Sequence, residues 1–393
     1  MKKLLTVFVL VVSSFVLHAQ GIVTGTVKDI NTNENIELVT VSTGDLEYNT
    51  ISNAEGVFKL EYPAGTEKII LNYLGYAPLE VNLSNLPEDN IFYLEDKGFD
   101  LEEVVILNVS MDLVIKNLVK TSYEKLNAPF LLNTYYREFV KVNDRYTKFS
   151  DGLIDYNVIK KKKEVESEVV VRQSRAIKLD IENEEEIDIA SALDLRKAVS
   201  RDCNFSPLHV ITDKKEFKKY SFIVKSQGSD EQTIQTIYFE PLPEIEEALY
   251  TGSISYNPAT NLILSVDIKM AETHKKYSKL RNFILIKARL DDIYYRSIYK
   301  VNGDSYRLSY SCMGGDVYVK NKRKYDDHLI FKSDLIVTNF SSNLAAFSKK
   351  EKYREKSLYY RGTNYTDEFW KKNNSIQLTA EEEAIIKSLQ DSK

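Results

Sequence analysis

Metal chemistry asks first for histidines and cysteines at ligand spacing. Past the first nineteen residues the histidines are His209, His274 and His328, far apart, with no H-x-x-E, H-E-x-x-H or C-x-x-C pattern around them. They read as surface or singly buried imidazoles, so the sequence predicts no metal site. Nucleophilic catalysis fares no better. There is no G-x-S-x-G, the nearest texture, Thr251-Gly252-Ser253, sits inside a strand-like run, and neither Cys203 nor Cys312 has an adjacent histidine. Paired carboxylates occur at Glu184-Glu185-Glu186, at Glu244, Glu246 and Glu247, and at Asp291-Asp292. A glycosidase sets two such groups about 5–10 Å apart across the scissile bond. With 58 acidic residues in the chain, chance clustering accounts for these, and they read as solvated faces. Asp29, Asn31, Asn33 and Glu34 offer oxygen ligands for Ca²⁺, but the glycine and terminal Glu spacing of an EF-hand loop is missing, so a polar strand connection is expected. The expectation is therefore no catalytic residue, no cofactor-binding residue and no cofactor.

Two patterns point to binding. The run Lys160-Lys161-Lys162-Lys163 suits an anionic lipid headgroup or lipopolysaccharide, but also a solvated hairpin tip whose like charges discourage edge pairing. The plain tip is the reading adopted. The chain also holds 26 Tyr and 17 Phe against 1 Trp. Tyr135, Tyr136, Tyr294, Tyr295, Tyr306 and Tyr310 fall in strand-like runs, where amphipathic rings line a glycan or lipid site or simply build a Tyr-rich core.

The elements that must carry these residues are mostly strands, because Tyr-rich and β-branched composition fits a half-buried pleated surface. The 393 residues suggest two or three domains. Residues 1–19 read as a secretory signal peptide: Lys2 and Lys3, then an apolar run, then Leu17-His18-Ala19 as the cleavage site. Losing the two lysines takes the net charge from −5 to −7, which argues against a nucleic-acid partner. No later apolar run is long enough to span a membrane, and no cysteine follows the leader to take a lipid. In an exported chain Cys203 and Cys312 form one disulfide or stay as two thiols; their spacing leaves both open.

Residues 20–106 read as a small β-sandwich of about seven short strands. Its centre is the stretch 50–60, TISNAEGVFKL, read as strand, Asn53–Gly56 turn and strand, a hairpin. A second strand is expected over 36–43. Residues 107–130 are a linking helix, with Ser110 as its cap and Leu113, Ile115, Leu118, Val119 and Tyr123 as apolar positions, ended by Asn127-Ala128-Pro129. Residues 131–345 read as one large antiparallel sheet, half-barrel-like. Turns are expected at Asn257-Pro258-Ala259-Thr260 and Asn302-Gly303-Asp304, and a short helix over 191–199. Separate strands are read at 282–290 and 293–301, and at 306–313 and 316–319. In the tail, 346–393, Thr379 with Glu382 three later is a capping box opening a short helix.

The residues Gly25-Thr26-Val27-x-Asp29, Val39-x-Val41, Thr50-x-Ser52-Asn53-x-x-Gly56-x-Phe58 and Leu74-Gly75-Tyr76 resemble the carboxypeptidase regulatory-like domain. The resemblance implies a transthyretin-like sandwich, an accessory module of Gram-negative cell-envelope proteins without peptidase chemistry of its own. Leu101-x-Glu103-Val104-Val105-Ile106 resembles the segment that follows this module in TonB-dependent outer-membrane receptors. Tyr135-Tyr136-Arg137-Glu138, 252–256 with Ile263 and Val266, and 369–373 resemble uncharacterised exported proteins carrying the same module. The strand phrase at 252–266 is also similar to half-barrels of the periplasmic lipoprotein-carrier type, with Tyr256 where an acidic residue is usual.

These readings imply a non-catalytic exported binding or scaffolding protein of the periplasm or outer-membrane periphery, the sandwich serving as interaction module for an envelope protein or an apolar or glycan ligand. Two other readings stay open: an envelope hydrolase whose site assembles only in three dimensions, and a carrier of a lipidated or acyl ligand.

Overall fold

The computed structural model describes residues 21–96, 103–104, 110–179, 193–228, 233–283, 286–321, 326–364 and 373–391. The leader, the acidic run at 184–186 and most of 369–373 lie outside them.

The N-terminal module is a sandwich. One sheet has the order β4 (Val57–Tyr62), β1 (Gly21–Asp29), β7 (Ile91–Leu94), and the other β3 (Asn49–Ile51), β2 (Thr40–Thr43), β5 (Lys68–Asn72), β6 (Leu79–Asn82). Alternate residues of both, among them Val27, Val41, Phe58, Leu60, Ile69, Leu71 and Phe92, fill the space between. The stretch 50–60 is not a hairpin. Its two strands pair in opposite sheets, β3 with β2 and β4 with β1, so the turn is a corner of the sandwich. The turn chemistry is as expected: Asn53 Oδ1 accepts from the backbone N–H of Glu55 and Val57, and Gly56 takes φ +73°. The expected strand over 36–43 is shortened to its last four residues, because Leu38 has φ +61° and breaks the extended run.

Helix α1 (Met111–Leu126) follows, ended by Asn127 in the left-handed conformation. Ser110 precedes it, but its side chain makes no cap bond; its carbonyl accepts from Leu113 and Val114. The buried stripe is Ile115, Leu118, Ser122 and Leu126, and Leu113 is 58% exposed.

The remaining strands form one open antiparallel sheet of twelve strands. They are β8 (Glu103–Val104), β9 (Phe130–Val142), β10 (Arg145–Lys161), β11 (Glu164–Lys178), β12 (Tyr220–Gln227), β13 (Ile234–Pro241), β14 (Tyr250–Asn257), β15 (Leu262–Met270), β16 (Arg281–Asn282), β17 (Lys287–Asn302), β18 (Ser305–Lys320) and β19 (Asp326–Ser341). The order is β11-β10-β9-β19-β18-β17-β15-β14-β13-β12-β8, with β16 beside β17. The backbone of 103–104, read as the tail of the sandwich, adds to this sheet through Lys225 and Ser226.

The strands read as broken at 291–292 and at 314–315 run through. At the first, a bulge between Leu290 and Asp292 absorbs the charged pair. At the second, Gly314 and Gly315 lie under the rings of Tyr294 and Phe331, where a Cβ would collide, so the glycines serve close packing.

One face of the sheet is closed by α1, α2 (Leu195–Cys203) and α3 (His209–Thr212), which with the strand residues make the largest apolar core. The short helix expected at 191–199 thus starts later, capped by Asp194, whose carboxylate accepts from Arg196 N. Ser122 Oγ ties α1 to the sheet by accepting from Ile263 N at 2.9 Å. A further four-residue α4 (Lys214–Phe217) lies beside α3 on the same face, with Phe217 against that core. The other face carries the sandwich and the C-terminal segment, which ends in α5 (Ala380–Asp391). The capping box forms as expected: Glu382 N donates to Thr379 Oγ1 at 3.1 Å, and Thr379 N donates to Glu382 Oε2 at 2.9 Å.

Candidate functional site

Residues 374–380 lie along the sandwich corner. Asn374 and Glu61 exchange two hydrogen bonds, at 2.7 and 3.1 Å, and both residues are buried. Thr50 Oγ1 donates to the Ser375 carbonyl, Asn53 Nδ2 to the Gln377 carbonyl, and Ala380 N to Glu55 Oε1. A second seam runs from the sheet. Lys300 Nζ donates to Ser42 Oγ at 3.1 Å and Asn49 Oδ1 at 2.8 Å, and Arg307 reaches the Leu46 carbonyl.

Period-two alternation decides what faces this contact. Arg137 on β9 points toward the sandwich and is 4% exposed. Its Nε meets Asp334 Oδ2 at 3.0 Å, and its Nη1 meets Glu382 Oε2 on α5 at 2.9 Å. Tyr310 donates to Asp334 Oδ1 at 2.6 Å, and Lys332 lies 3.4 Å away. Burial alone would raise the Asp334 carboxyl; Arg137 and Lys332 outweigh it and hold it at about 2. Beside this pair, Arg175 grips Asp151 through Nε and Nη2, and Tyr135 donates to the same carboxylate. Burial lowers Lys300 to about 7, with Arg307 adding to it and Asp45 opposing.

Among the described residues two cavities lie between the modules. One, of about 330 Å³, lies among Asn53, Arg137, Tyr294, Tyr310, Asp334 and Glu382. The other, of about 450 Å³, lies between the Tyr73-Leu74-Gly75-Tyr76 turn and Val266, Asp267, Arg296 and Ile298 of the sheet. Arg296 Nε meets Asp267 Oδ2 at 2.6 Å across its floor. Aromatic rings, an apolar strip and a few fixed charges are the lining of a small-molecule binding cleft.

The structure places the sequence candidates as follows. Tyr135, Tyr294 and Tyr310 belong to the sandwich side, and Tyr136 and Tyr306 to the helix-covered core. Cys312 lies in the first group and Cys203 in the second; both are buried free thiols, so of the two options left open the disulfide is not formed. Burial pushes the Cys312 thiol up to about 12, with Asp334 adding to it, and raises Cys203 further. Asp29 is buried structure: its Oδ1 accepts from Asn31 and Thr32 N–H, and its Oδ2 from Tyr76 at 2.8 Å, which joins two of the motif patches. Lys160–Lys163 are the exposed tip between β10 and β11, with Lys161 paired to Glu166. Thr251-Gly252-Ser253 is interior to β14. Glu244, Glu246 and Glu247 are exposed, and Asp292 pairs with Lys275 at 2.9 Å. His209 is exposed; His274 is buried with Nδ1 2.8 Å from Thr273 Oγ1; His328 lies beside Asp316 and Asp291. Sequence reading missed Arg137, Asp334, Lys300 and Arg296. The one available signal was an arginine among the apolar residues of β9.

The architecture is a small sandwich seated on a large open sheet with a cleft between them. Residues 23–106 match the CarboxypepD_reg-like domain and are a domain of that kind. No curated protein matches the chain. Among solved structures, a DUF1329 family protein from Desulfovibrio piger is similar at TM-score 0.24 and 9% identity, over 59% of this chain and 95% of that one. Lipovitellin, from a structure of lipid–protein interactions, is similar at TM-score 0.27 and 8% identity, over 65% of this chain and 29% of its own.

Proposed function

We propose that this is an exported, non-catalytic binding protein of the cell envelope, in which the carboxypeptidase regulatory-like domain and the large sheet together hold a small ring-bearing polar ligand of the glycan type. The observation that carries the reading is the 450 Å³ cleft. Tyr73 and Tyr76 line one side, and the Arg296–Asp267 pair offers charged hydrogen-bonding groups on the other. Arg296 and Asp267 are already engaged with each other, and Lys300 with Ser42 and Asn49, which suits holding a ligand more than moving a proton.

The helix-covered face does not favour the acyl-carrier reading. Leu118, Val199, Leu208, Ile211 and their strand partners fill the space that an acyl chain would need. Among the described residues no helix is long and apolar enough to cross a membrane. Export is the expectation from the leader, tested by N-terminal sequencing of the processed protein, which starts at Gln20 if the leader is cleaved as read.

Native mass spectrometry after gentle purification tests the binding reading. A small molecule retained by the wild type and lost in both Tyr73→Ala and Arg296→Ala supports it. A wild type that carries nothing, and binds nothing from an envelope oligosaccharide mixture, overturns it.

A further inference from the structure

The end of β17–β19 next to the β9–β10 turn gathers a set of donors that plays no part in the cleft. We propose that Asp291, Asp316 and His328 form a site for a divalent transition-metal ion, Zn²⁺ or Mn²⁺. Their ligand atoms all lie within 4.8 Å of one another. His328 Nδ1 is 3.1 and 3.3 Å from the two oxygens of Asp316, and 3.6 Å from Asp291 Oδ2. An ion about 2.0–2.2 Å from each ligand sets those ligands about 3.0–3.4 Å apart, so small side-chain shifts close the site. One imidazole nitrogen beside two carboxylates suits Zn²⁺ or Mn²⁺ over Ca²⁺, which takes oxygen alone.

Three features of the fold hold the donors. The bulge in β17 sets Asp292 opposite Asp316 and leaves Asp291 as the extra residue beside it. Lys275 takes Asp292, and Asp291 is left on the side of Asp316. The backbone of His328 is clamped on both sides: its N–H donates to Asn143 Oδ1 at 2.9 Å, and its carbonyl accepts from Asn143 N at 2.7 Å. Tyr318 packs its ring 5.2 Å from the imidazole. The side chains remain reachable, with His328 43% exposed.

Arg289 competes. Its guanidinium bonds both oxygens of Asp291 and lies over the Tyr318 ring. At 39% exposure it can swing into solvent, and the ion would then replace its charge against the two carboxylates. The arginine therefore weakens metal binding without being a ligand, a consequence that a diffuse acidic surface would not share.

Isothermal titration of the EDTA-treated protein with ZnCl₂ and with MnCl₂ tests this. One equivalent per chain is expected, weakened at least tenfold by His328→Ala and by Asp316→Asn, and tightened severalfold by Arg289→Ala. Loading with Co²⁺ gives a second readout that needs no variant: d–d absorption of a nitrogen-and-oxygen site in the wild type. No saturable binding, affinity unchanged in His328→Ala and Asp316→Asn, or a Co²⁺ spectrum of the free aqueous ion would each overturn the proposal.

Discussion

The two faces of the large sheet are built from the same strands, often from adjacent residues, and are held in different ways. Tyr135 and Tyr136 are neighbours on β9. Tyr136 joins an apolar core closed by α1–α3, while Tyr135 hydrogen-bonds Asp151 under the sandwich. The helix-covered face is filled under α1–α3, and its cavity of about 470 Å³ lies to one side, by Tyr250 and Met270. The sandwich-covered face is fastened by ion pairs and single hydrogen bonds and keeps two cavities. Non-directional burial closes a surface everywhere it can, whereas paired polar groups hold two surfaces at points and leave room between them. The second arrangement is the one a ligand can use.

The sharpest way to break this comparison is Arg137→Met. It takes from the buried Asp334 carboxylate its closest cation, leaving Tyr310 and the more distant Lys332, and unties α5 at Glu382, so it should cost about 3 kcal/mol in urea unfolding, the lower end for removal of one partner of a buried pair. The double change Arg137→Met with Asp334→Leu should recover part of that loss, because no lone charge then remains at position 334. The pair also has a pH signature. Asp334 is held below its ordinary value near 3.8, so its contribution is present above that value and lost as pH falls toward about 2. A single variant as stable as wild type would mean that the sandwich-covered face is not fastened as described.

On the opposite face Leu118→Ala removes a fully buried side chain from α1 and should cost about 3 kcal/mol by the same measurement. Its loss should not depend on pH between 2 and 5, since no titratable partner is involved. A pH-dependent loss would erase the distinction between the faces.

The smallest effect concerns the seam. Lys300 sits at about 7 against an ordinary 10.5, so folding is weakened when it must charge. Its contribution is present above 10.5 and is lost as pH falls to about 7, so wild-type stability should rise with pH across that window. Thermal midpoints of Lys300→Met measured from pH 7 to 10 should lose that slope. Solvent screening keeps the change modest, because the lysine is only partly buried. An unchanged slope would place the charge cost elsewhere.

Local chemistry made much of the fold legible. The Thr379–Glu382 capping box, the Asn257 turn, and the Gly25, Gly56 and Leu74-Gly75-Tyr76 patches depend on residues a few positions apart, and each took the expected form. The corner at 50–60 shows the limit. Its turn was readable, but the sheet each arm joins is settled by partners on β1 and β2. The cleft was less legible. Arg137 meets Asp334 across 197 positions and Glu382 across 245, and Glu61 meets Asn374 across 313. Asp291, Asp316 and His328 looked unrelated for the same reason: strand register, shifted by one bulge, is what aligns them.

The sequence by itself determined where most strands and turns fall, the N-terminal domain and the final helix, because propensity, turn geometry and capping act over a few bonds; it did not determine strand pairing or continuity through bulges. Which of two adjacent side chains meets water, a helix or the sandwich was decided only by the tertiary structure. In a strand that choice alternates with every residue, and a single shift of register reverses it.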